Sequence, residues 1–133
     1  MTKKRAMSSC KQSRAMRVSS RIKRWAIIEG SFEATHCWPQ APITEAYLRS
    51  PHRHLFEVKV QIEVFHEDRE IEYYNFKSQL SRLLVWMPNP INYSCEKYSD
   101  IIATNIKNAY PKRDLKVTIL EDGHEGALCE YSK

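Results

Sequence analysis

Residues 52–64 read His-Arg-His-Leu-Phe-Glu-Val-Lys-Val-Gln-Ile-Glu-Val, an almost unbroken two-residue alternation. Side chains of a strand point to opposite faces in turn, so the even positions His52, His54, Phe56, Val58, Val60, Ile62 and Val64 share one side. The odd positions Arg53, Leu55, Glu57, Lys59, Gln61 and Glu63 share the other. Such a segment must be a strand with one face against a core. The apolar face opens with two imidazoles spaced about 6.6 Å along the strand, a gap two rings can close around one ion.

An upstream segment offers a third imidazole. From Trp25 to His36 the even positions are Ala26, Ile28, Gly30, Phe32, Ala34 and His36, a second apolar face ending in histidine. Two readings fit three histidines at the ends of two inward faces. Each can be a core or surface filler, or His36, His52 and His54 can bind Zn2+ with the fourth position open, as at catalytic sites. His66 and His124 fall in expected turns and should be exposed.

The rest of the chain is punctuated clearly. Pro39, Pro42 and Pro51 make residues 37–51 an irregular loop, and His66-Glu67-Asp68-Arg69 suggests a hairpin turn with a short strand through Glu70–Tyr73. Phe76, Leu80, Leu83, Leu84 and Met87 form one helical stripe, ended by Pro88 and Pro90. Ser94 is placed to cap a second helix with Glu96 in its first turn. Its stripe is Tyr98, Ile101, Ile102, Ile106 and Ala109, and Pro111 stops it. A strand with Leu115, Val117 and Ile119 on one face, an Asp122-Gly123 turn and a last strand through Leu128–Tyr131 complete an α+β domain of order ββααββ. Glu121 continues the apolar face of its strand. It either reaches solvent at the strand end or accepts from adjacent N–H donors of a ligand such as a pterin or guanine edge.

Charge divides the chain. Residues 1–24 hold nine of the 21 Lys and Arg and no acid, so the remainder carries 12 basic against 16 acidic residues while the whole chain is +5. The boundary is drawn at residues 1–23, a basic and disordered tail, and 24–133, the folded domain. The tail is either solvated, or an artefact of an upstream start with Met7 or Met16 as the true one, or an arm touching nucleic acid through counterion release. It has no aromatic before Trp25 on which a base could stack. The four cysteines are spread too widely for a zinc ribbon or a disulfide scaffold, and no apolar run suits a membrane span or signal peptide, so a cytoplasmic setting is expected.

Phe32-x-Ala34-x-His36 followed by His52-x-His54 at the head of a Val-rich strand resembles the 6-pyruvoyltetrahydropterin synthase and 6-carboxytetrahydropterin synthase family, whose pattern is F-x-A-x-H and then H-G-H. The resemblance extends in order over residues 25–131. Glu72 stands where the family has the Asp of an Asp-Phe pair, Lys77 matches a common Lys, and Ser94-Cys95-Glu96 matches a Thr/Ser-rich step ending in Glu. Thr118-Ile119-Leu120-Glu121 matches the strand whose Glu anchors the pterin ring. The resemblance implies the tunnelling fold, an antiparallel four-stranded sheet packed on two helices and joined between subunits into a barrel, in trimers or hexamers. It implies zinc on His36, His52 and His54, substrate binding by Glu121 and Ser94, and a dihydroneopterin triphosphate-like substrate. The alternative is a catalytically silent relative that binds a pterin or purine-like ligand.

The acid–base set departs from the family. The family's catalytic Cys would fall at Leu48 or Ala46, neither of which moves protons, so Glu45 and Cys37 are the candidate replacements. The family's Asp-His pair has no counterpart in Val85–Asn92, and Arg53 replaces the central Gly of H-G-H.

Overall fold

A computed structural model describes residues 22–88 and 92–133. The basic segment 1–21, and with it most of the expected tail, lies outside the described residues, as do residues 89–91 between the helices. Within them, strands β1 (Arg24–His36), β2 (His52–Val64), β3 (Leu115–Glu121) and β4 (Glu125–Tyr131) form one antiparallel sheet in the order β1-β2-β3-β4. Helices α1 (Tyr73–Val85) and α2 (Cys95–Ala109) lie on one face, α1 over β1 and α2 over β3 and β4. The domain is therefore α+β, with the expected ββααββ order of long elements. No helix among the described residues is long and apolar enough to cross a membrane.

The even face of β2 is the centre of the core. Phe56, Val58, Val60 and Ile62 are buried, joined by Leu115, Val117 and Ile119 of β3 and by Ala26, Ile28, Phe32 and Ala34 of β1. Helix α1 supplies Phe76, Leu80 and Leu84, while α2 supplies Tyr98, Ile102, Ala103 and Ile106. Gly30 lets α1 approach closely, because a Cβ there would stand 2.9 Å from Leu84 Cδ1. Asp122 and Gly123, at φ 53° and 78°, make the tight reversal between β3 and β4 that Asp-Gly favours.

Three local expectations need correction. No strand forms at Glu70–Tyr73, because the Glu72 carboxylate accepts from the Tyr74 and Asn75 amides at 3.1 and 2.6 Å and starts α1 there. Side-chain capping overrides the β-preference of a Tyr-Tyr run. The loop 37–51 contains a 3-10 segment, Ile43–Arg49, kinked at Glu45 and tied by Arg49 Nε to the Ala41 carbonyl at 2.8 Å. Lys23, assigned to the tail, pairs with Asp114 and lies 3.8 Å from Glu63. Glu63 itself is on the odd face yet buried. The Asp114 amide donates to it at 3.0 Å and Lys133 Nζ lies 3.3 Å away, so the C-terminus and Lys23 close over it.

Tyr98 is fully buried, and its hydroxyl has no hydrogen-bond partner among the described residues. An unpaired buried hydroxyl costs about 1–3 kcal/mol. Tyr98→Phe keeps the ring against Phe32 and Phe56 and is expected to raise stability by about 1 kcal/mol in urea unfolding. A loss of stability would mean that the hydroxyl is bonded in solution.

Candidate metal centre

The register of β1 and β2 brings the three histidines together. His36 pairs directly with His52, and Ala34 with His54, so His36 and His52 face one another and His54 follows on the same side. Ring centroids are 4.6 Å apart for His36 and His52, 5.2 Å for His36 and His54, and 5.0 Å for His52 and His54. One ring nitrogen from each lies within 4.8 Å of the other two. His36 is buried, and His52 and His54 are half-buried. The Phe56 ring packs beneath His36 and His54, at 5.3 and 5.9 Å.

The outer nitrogens are already engaged. His36 Nδ1 is 2.8 Å from the Tyr93 carbonyl, His52 Nδ1 is 2.9 Å from the Ser50 carbonyl, and His54 Nδ1 is 2.6 Å from Asp122 Oδ2. A carbonyl or carboxylate only accepts, so Nδ1 donates in each ring and Nε2 is the nitrogen left to face a cation. Asp122 also accepts from the Leu55 amide at 3.0 Å. Its hydrogen bond from His54, then that from Leu55, holds its carboxyl below the usual carboxylate range. Three imidazoles, each oriented by an acceptor at Nδ1, form a donor set that fits a divalent metal ion.

Glu121 reaches the same place from β3. It pairs with Phe56 across β2 and β3, on the face that carries His54. Its carboxylate oxygens lie 3.3 Å from His36 Nε2 and 3.4 Å from His54 Nε2. The Cys95 thiol donates to Oε1 at 3.9 Å. Burial, with the charges of Glu121 and Glu96, pushes the Cys95 thiol up to about 12, so it remains a proton donor at neutral pH.

Beside the histidines opens a cleft of about 460 Å³. His36, His52, Cys37, Ser94, Cys95 and Glu121 are among its lining residues, together with Trp38 and Leu48. Ser94 caps α2, its Oγ accepting from the Lys97 amide at 3.1 Å, as its position in the sequence suggests. Of the residues singled out from the sequence, His36, His52, His54, Glu121, Ser94 and Cys37 thus gather at one end of the sheet. Glu45 does not join them: it is not among the lining residues, and its carboxylate accepts from the neighbouring Thr44 hydroxyl. His66 and His124 are exposed, as expected.

The sequence reading missed Asp122, Cys95 and the Tyr93 and Ser50 carbonyls. Asp122 had a signal, an acid in the turn next to an in-phase Glu121. A backbone carbonyl carries none. No family model matches the chain, and no curated protein matches it.

Proposed function

We propose that the chain is a zinc-dependent protein of the 6-pyruvoyl/6-carboxytetrahydropterin synthase type acting on a dihydroneopterin triphosphate-like substrate. The observation that carries this reading is the convergence of three imidazoles oriented at Nδ1, those of His36, His52 and His54, beside a cleft that also holds Glu121. The ββααββ unit, with β1 and β4 each paired on one side only, suits the tunnelling fold, in which copies join edge to edge into a barrel as trimers or hexamers.

Zinc, when bound, would supply a positive charge that lowers the pKa of a substrate hydroxyl. The chain's own residues do the rest. His36, His52 and His54 hold the ion, and Glu121 is placed to accept from the paired N–H groups of a pterin edge. Ser94 offers a hydroxyl at the N-terminus of α2, where anionic oxygens are favoured. Of the two candidate bases, Cys37 lines the cleft beside His36 and Glu45 does not. We assign proton movement on the substrate side chain to Cys37.

Purified protein is expected to contain one zinc per chain and to turn over dihydroneopterin triphosphate. Cys37→Ala should lower turnover by about 10²–10⁴-fold, the usual contribution of a general base, with zinc retained. Glu45→Gln should leave turnover unchanged. An inversion of that pair would move the base to Glu45. The position of Glu45, its carboxylate turned to Thr44 and away from the cleft, also favours a second reading, a silent relative that binds a pterin or purine-like ligand. Tight pterin binding with no turnover would establish that reading, and absence of bound metal would sink both.

A further inference from the structure

Trp38 lies just past the end of β1 and lines the cleft beside the histidines. Its backbone is clamped from both sides. The Trp38 amide donates to the Leu48 carbonyl at 2.8 Å, and the Trp38 carbonyl accepts from the Ala41 amide at 3.0 Å. Ala41 is itself buried and takes Arg49 Nε on its carbonyl at 2.8 Å. The indole on this fixed stem is nonetheless 49% exposed. Among the described residues, no second aromatic ring and no cation covers it, and its Nε1–H has no acceptor. Other rings are occupied. Tyr93, also in the cleft, meets Tyr98 edge-on at 5.5 Å and carries Lys97 Nζ at 5.6 Å. Trp25 carries Lys23 and Lys116 at 5.1 and 4.7 Å.

We propose that Trp38 is the stacking platform of the cleft and the residue that selects a planar fused heterocycle as its ligand. The proposal rests on the ligand-binding reading of the cleft and names the side chain that recognises the ring. A Trp side chain turns about two bonds only, so an indole on a clamped backbone gives up little freedom when a ring settles on it. The cleft, at about 460 Å³, is of the size that small-molecule sites have, roughly 300–1,000 Å³. Glu96 and Glu121 line it too, so a ring held by its face still finds carboxylates for N–H groups at its edge. A pterin or guanine ring has both features, the flat π-face and the N–H edge. A saturated ring of equal size lacks the first.

Neopterin and guanosine are the probes, with affinities measured by titration calorimetry on zinc-loaded protein. Wild type is compared with Trp38→Phe, Trp38→Leu and Trp38→Ala. Zinc content and thermal unfolding should match wild type in all three, because the indole is half exposed and the backbone bonds remain. Trp38→Ala should bind both probes about 5- to 150-fold more weakly, the usual effect of removing a ring on which a base stacks. Trp38→Leu keeps apolar bulk without a π-face and should lose nearly as much, whereas Trp38→Phe should recover most of the affinity. Indole fluorescence should be quenched by both probes in wild type and much less in Trp38→Phe. Wild-type affinity in Trp38→Ala, or equal affinities in Trp38→Leu and Trp38→Phe, would overturn the stacking assignment and leave the cleft as the binding site. Wild-type protein that binds neither probe would overturn both.

Discussion

His54→Ala is expected to weaken metal binding by more than 100-fold and to abolish metal-induced stabilisation. The side chain is half-buried at the rim of the sheet, and its ring meets the core at Phe56, with centroids 5.9 Å apart. The loss therefore belongs to the metal rather than to the fold. Asp122→Asn makes the informative comparison. Asp122 holds His54 Nδ1 at 2.6 Å and accepts from the Leu55 amide at 3.0 Å, so it orients the ring without reaching the cation. Removing such a support costs about 10–100-fold in affinity, below the loss of the ligand itself. Metal at 100 times its dissociation constant adds about 2.7 kcal/mol to stability. For a domain of this size that is roughly a 10 °C rise in Tm. Thermal unfolding with and without zinc should show the full rise for wild type and for His124→Ala, part of it for Asp122→Asn, and none for His54→Ala. A full rise in His54→Ala would remove that residue from the site.

Much of this centre was legible because strand periodicity is a property of the backbone. The alternation of residues 52–64 places His52, His54 and Phe56 on the apolar face of one strand, and the matching pattern of residues 26–36 places His36 on the apolar face of a second. Once β1 and β2 pair in antiparallel register, those two facts alone bring the rings together. What stayed hidden depends on local competition or on groups with no sequence signature. Glu72 reads as part of an extended Glu-Tyr-Tyr run, and only its two hydrogen bonds to the next turn reveal a helix cap. Glu63 reads as a solvent-face acid, but the returning C-terminus supplies Lys133 and the Asp114 amide to it. The carbonyls of Tyr93 and Ser50 fix two imidazoles, and any residue type supplies a carbonyl. Glu45 was singled out by sequence distance from His52, whereas the 3-10 segment that carries it turns its carboxylate to Thr44.

Phe56→Ala is expected to cost about 3–5 kcal/mol, the usual range for deleting a buried aromatic ring. Phe56 is 0% exposed, stacks on Phe32 at 5.1 Å and meets Tyr98 at 5.2 Å. The domain as a whole should be worth about 5–15 kcal/mol, so this one side chain accounts for a large share. Leu55→Ala is the necessary control. Leu55 is the next residue, an apolar side chain on the outer face and 38% exposed, and its removal should change stability by no more than about 0.5 kcal/mol. The contrast tests register, because a slip by one residue would exchange the two faces of β2 completely. In that event Leu55 would be the costly substitution, and His52 and His54 would point away from His36. Urea unfolding of the two variants in metal-free buffer therefore decides the strand geometry on which the metal centre depends. Saturating zinc should then restore about 2.7 kcal/mol to Phe56→Ala if the imidazoles above the lost ring still converge.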